Sequence, residues 1–112
     1  MTQSKRIPQD RWPDFSVTFS NGNRDRPIGI EVLDNESGDS QLVRSAPFLG
    51  IAWDAPEKGN DIVITTGRDE VEYAHRIPGA AELWEAQAED GQVTALEIVD
   101  QNGTKTIVAF RD

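Results

Sequence analysis

Apolar and polar residues alternate along most of the chain. Ile28, Ile30 and Val32 are separated by Gly29 and Glu31, the two-residue period of a strand with one buried face. A polar turn, Asp34-Asn35-Glu36-Ser37-Gly38-Asp39, follows. Gln41–Ser45 reads as a short strand stopped before Pro47, and Phe48–Asp54 as another, with Leu49, Ile51 and Trp53 on one face. Pro56, Gly59 and Asn60 make a loop. Asp61–Thr66 is rich in β-branched residues, and Gly67-Arg68-Asp69 turns the chain into Val71–Ile77, which Pro78-Gly79 ends. Three more strands are predicted at Glu82–Ala88, Val93–Val99 and Thr104–Phe110. Asp90-Gly91 and the segment Asp100-Gln101-Asn102-Gly103 supply their hairpin turns.

The start of the chain follows another period. Trp12, Phe15 and Phe19 fall at i, i+3 and i+7, one face of a helix, and Pro13 suits a first helical turn. Phe15, Val17 and Phe19 also alternate with Ser16, Thr18 and Ser20, so the segment 12–20 admits a strand. The helix is preferred because it gathers the aromatics into one stripe that can pack on a sheet. The expected architecture is mainly β (α+β). A short N-terminal helix packs on a curled antiparallel meander of about six to eight strands, as a small barrel or a two-layer sandwich. Residues 1–10 are expected as a flexible lead-in and residues 11–112 as a single globular domain.

Composition narrows the chemistry. The 112 residues include no cysteine and one histidine, which removes disulfides, thiolate nucleophiles and zinc–thiolate sites, and leaves no multi-imidazole metal site within one chain. The net charge is −9, unevenly spread. Residues 1–26 carry five Lys and Arg against three Asp and Glu, and the remainder six against seventeen. Such an acidic body repels nucleic acid and anionic lipid, so neither is expected as a partner. No signal peptide and no bilayer-spanning run is evident, and a soluble cytoplasmic protein is expected.

Candidate site residues are few. His75 shares strand parity with Val71, Tyr73 and Ile77, so it is read as a core or core-rim histidine rather than a catalytic base. Arg76 has the opposite parity, with Glu72 as its expected ion-pair partner. Asp34–Asp39 lacks the residue order of a calcium loop and is read as turn chemistry, with no metal assigned. Glu82 and Glu85 are read as a solvated charged edge rather than a catalytic pair. Trp12, Trp53 and Trp84 are read as core. Trp84, beside Gly79-Ala80-Ala81, is the one that would serve as a contact point for a partner if partly exposed. No phosphate loop, nucleophile elbow or zinc-protease motif is present, and no cofactor is expected.

Several short motifs occur together: Arg11-Trp12-Pro13-Asp14-Phe15, Phe19-Ser20, Arg26-Pro27, Glu31-Val32-Leu33-Asp34, Leu49-Gly50-Ile51, His75-Arg76-Ile77, Ala95-Leu96-Glu97-Ile98-Val99-Asp100 and Gly103-Thr104. In this order, over residues 11–110, they resemble an uncharacterised bacterial family of small acidic single-domain proteins with a domain of unknown function. The resemblance implies a helix at the N-terminus and no established activity. The functional expectation is therefore a non-catalytic interaction or accessory module, taking a protein partner or a second copy of itself. The alternative is a small-molecule binder or enzyme using His75, Arg76 and carboxylates in a barrel mouth. Trp84, Arg76 and His75 form the candidate binding surface.

Overall fold

The computed structural model describes residues 3–36 and 38–112. Strand β1 (Gln3–Arg6) leads through a 3-10 turn (Gln9–Arg11) into helix α1 (Trp12–Asn23). Then come β2 (Pro27–Asp34), β3 (Gly38–Trp53), a second 3-10 turn (Pro56–Lys58), β4 (Ile62–Thr66), β5 (Tyr73–Ile77), β6 (Ala80–Gln87), β7 (Val93–Asp100) and β8 (Lys105–Phe110). The eight strands form one antiparallel sheet in the order β1-β6-β7-β8-β2-β3-β4-β5. The expected mainly β class with an N-terminal helix is what the chain adopts. The sheet is not closed into a barrel, however: β1 and β5 remain its edges. It is also two meanders rather than one, β2 to β5 and β6 to β8, joined where β8 pairs with β2.

Alternation places the core on one face. Ile30 lies beside Val108, Val108 beside Leu96, and all three are fully buried. Leu83, Ile98 and Thr106 form the neighbouring buried row. Helix α1 lays Trp12, Ser16 and Phe19 against this core, with Phe15 packed alongside. Phe19, Phe48 and Phe110 meet edge to face at 5.7–5.9 Å, and Trp12 meets Trp53 at 6.1 Å. These are the separations and angles that the aromatic quadrupole favours. Pro13 sits in the first helical turn, where a missing N–H costs nothing.

Strand β3 is one 16-residue element, not the two short strands expected on either side of Pro47. Its first half pairs with β2 and its second half with β4. Pro47 stands at the exchange, where its lack of an N–H breaks no ladder, and its carbonyl accepts from Gly67 N at 3.0 Å. A bulge between Phe48 and Gly50 turns both Phe48 and Ile51 inward, so Ile51 is buried while Leu49 is not. Helix α1 covers the edge of β3 that β2 leaves. Ser20 Oγ accepts from Ile51 N at 2.9 Å and donates to Ile51 O at 3.2 Å, replacing the missing strand.

Residues 3–6, expected within a flexible lead-in, pair with β6 from Gln3↔Gln87 to Arg6↔Trp84. The segment holds no apolar residue to mark it, and its partner lies some eighty positions away. That pairing also corrects the reading of Glu82 and Glu85 as a solvated edge. Strand β6 is an interior strand, and Glu85 is only 6% exposed. In the polar turn after β2, Asp34 Oδ1 accepts from Glu36 N at 2.8 Å, as Asx-turn chemistry requires, and Ser37 lies outside the described residues.

Candidate binding groove

The three residues singled out by sequence do not converge. His75 lies on edge strand β5 opposite the buried Ile64, on the face of Ile77. It is half-buried, and desolvation holds its imidazole below the ordinary histidine pKa. Arg76 points to the opposite face. Its guanidinium binds Asp54 Oδ2 at 3.1 Å and Asp61 Oδ2 at 2.9 Å, rather than the expected Glu72, whose carboxylate accepts from Arg68 N at 3.2 Å. Asp61 also accepts from Gly79 N at 3.1 Å. That backbone bond, with Arg76, keeps the Asp61 pKa below the usual carboxylate range. Arg76 thus braces the turn from β5 to β6 through Nη1, with its charge matched by two carboxylates.

Trp84 is turned away from the core. A bulge between Ala80 and Glu82 shifts the inward register of β6 to Leu83 and Glu85, which puts Trp84 on the outer face. There its indole N–H donates to Glu82 Oε1 at 2.9 Å. Of the three tryptophans, Trp12 is fully buried, Trp53 packs against the core and Trp84 is half-buried outside it. Its neighbour in register on β1 is Arg6.

That neighbour belongs to a more concentrated feature. A groove of about 510 Å³ runs along β1, the first 3-10 turn and α1, lined by Lys5, Arg6, Ile7, Pro8, Arg11, Asp14, Phe15 and Thr18. The chain reversal at Pro8 brings Arg11 back beside Lys5 and Arg6. Helix spacing sets Asp14, Phe15 and Thr18 on the side of α1 that faces them. Trp12 pins the reversal, its indole N–H donating to Ile7 O at 2.9 Å from a fully buried position. Ile7 N bonds Leu83 O at 2.8 Å and ties the same point to β6. Lys5 Nζ lies 3.9 Å from Glu85 Oε1, which also accepts from Gln87 Nε2. The side chains of Arg6 and Arg11 have no ion-pair or hydrogen-bond partner among the described residues. Three cations against one carboxylate therefore line this groove, on a chain whose net charge is −9.

The lining was half-visible beforehand. The basic excess of the first 26 residues marks it, but reading residues 1–10 as a lead-in hid the groove they build. A second groove of about 490 Å³ lies on the other flank of α1, between Pro13, Ser16, Val17, Ser20 and Asn21 and the β3 residues Ile51 to Trp53. It carries no charge. Among the described residues, no cluster of three or more His, Asp or Glu side chains is arranged to hold a metal ion, and no helix is long and apolar enough to cross a membrane.

Comparison with known proteins places the chain in a family rather than an activity. Residues 3–112 match the family of unknown function DUF5335, and the chain belongs to that family. It is also 30% identical over 111 residues to an uncharacterized protein of Aquifex aeolicus (strain VF5), covering 96% of this chain and 92% of that one. No solved structure matches it.

Proposed function

We propose that this protein is a non-catalytic interaction module whose groove between β1 and α1 binds an acidic partner protein. The observation that carries the reading is the convergence of Lys5, Arg6 and Arg11 on one groove of an otherwise acidic chain. Opposite charge steers encounter and selects partners, and Phe15 and Ile7 in the groove lining add apolar contact. Nucleic acid is disfavoured by the seventeen carboxylates of residues 27–112. Pairing of two copies through β1 would set Lys5 and Arg6 against themselves, which favours a different partner over a symmetric dimer at this edge. The reading includes a cytoplasmic setting, where a charge of −9 keeps the free chain dispersed.

The test is fluorescence anisotropy at low ionic strength with a labelled acidic peptide and its lysine counterpart. The acidic peptide binds and the lysine peptide does not. Binding is lost in the Arg6→Glu/Arg11→Glu protein, whose changed side chains are exposed and leave the melting temperature unaltered. Equal binding by the wild-type and double-variant proteins would count against the groove.

A further inference from the structure

Building on that reading, we propose that the acidic partner binds as an extended segment that adds a strand to the open edge of β1. Among the described residues, strand β1 pairs with β6 on one side and with no strand on the other. The bond from Ile7 N to Leu83 O fixes which backbone groups face which way. Alternation along the strand then turns the N–H and C=O of Lys5 toward β6 and those of Ser4 and Arg6 toward the open edge. These outward groups form a short template for main-chain pairing. The groove lies along the same edge, bounded on its far side by Asp14, Phe15 and Thr18 of α1. A strand entering there pairs its backbone with Ser4 and Arg6. Its alternate side chains meet Lys5 on the inner face, beside Glu85, and Arg6 on the outer face, beside Trp84. Charge complementarity chooses the occupant: a basic edge repels its own copy and accepts an acidic segment in which glutamate or aspartate is mixed with apolar residues.

The experiment uses the full chain and a labelled peptide of alternating glutamate and valine. A second peptide has the same side chains but an N-methyl group on every amide, which removes the donors from both edges and leaves the charge unchanged. Strand addition predicts that N-methylation weakens binding by about tenfold or more. It predicts the same loss for Ser4→Pro, because proline removes an outward N–H without touching the ladder to β6. Ser4→Pro should melt with the wild type, and the N-methylated peptide keeps the test valid if it does not. Equal affinity for the two peptides overturns strand addition while leaving the basic groove in place. Failure of any acidic peptide to bind overturns the groove reading itself, and strand addition with it.

Discussion

His75 is the only side chain of this protein whose ordinary titration falls near neutrality. Desolvation on the inner face of β5 lowers its pKa in the folded state, so the unfolded chain binds the proton more readily. Stability contributed by the neutral imidazole is present above the unfolded value, near ~6.5, and is lost as pH falls below it. Urea denaturation between pH 5 and 8 should show the wild type losing stability on the acid side, with that component absent in His75→Asn. Parallel curves for the two proteins would mean that His75 is solvated. Arg26 is held more tightly than any cation in the groove. It bonds Asp112 through two nitrogens at 2.8 and 2.9 Å, Asn23 at 2.8 Å and Val93 O at 2.9 Å, and lies 4.1 Å over the Phe110 ring. It thereby joins the end of α1, the start of β7 and the chain's last residue. Arg26→Met keeps much of the packing and strands these partners, which should cost about 2 kcal/mol by denaturant titration. A cost below about 0.5 kcal/mol would show the network to be surface decoration.

Single atoms settle the pairing of whole elements at two places. Ser20 closes the edge of β3 through one hydroxyl, so Ser20→Ala leaves the N–H and C=O of Ile51 without that partner and should cost about 1–2 kcal/mol. Gly67, at φ 143° between β4 and β5, has no room for a side chain: a Cβ there would sit within 1.9 Å of Glu70 O. Gly67→Ala should therefore destabilise by at least about 3 kcal/mol and fray β5 first, which amide exchange along Tyr73–Ile77 would report. The elements differ in how far the sequence discloses them. β4 is legible from its run of β-branched residues, and the β7–β8 hairpin because apolar pattern and turn residues agree there. The helix is legible because Trp12, Phe15 and Phe19 share its face. β1 is not, because Gln3-Ser4-Lys5-Arg6 carries no alternation and becomes a strand only by pairing with β6. The bulges in β3 and β6 are equally silent in sequence, yet each reverses which residues face inward, and that is why Trp84 lies outside the core. The candidate site was obscured for the same reason: charge imbalance along the chain is visible, whereas the fold at Pro8 that gathers Lys5, Arg6 and Arg11 is tertiary.

At the scale of the molecule, charge acts in two opposed ways, and salt separates them. The radius of gyration is 13.2 Å. At about 0.01 M salt the screening length is roughly 30 Å, so the carboxylates repel one another across the whole fold; at about 0.15 M it is roughly 8 Å and only neighbours interact. A chain of net charge −9 should therefore melt at a higher temperature in 0.15 M than in 0.01 M salt at neutral pH. The groove responds in the other direction. Attraction between Lys5, Arg6, Arg11 and an acidic peptide is screened by the same ions, so its affinity should fall over the range in which the melting temperature rises. Apolar contact with Phe15 and any main-chain pairing at Ser4 and Arg6 survive screening, and binding should level off at high salt rather than vanish. Thermal melts and anisotropy titrations on one salt series measure both. An affinity that rises with salt would show that apolar contact, and not the three cations, governs the groove. A flat melting temperature would show that the carboxylates are spaced widely enough around the fold to leave no repulsion for salt to relieve.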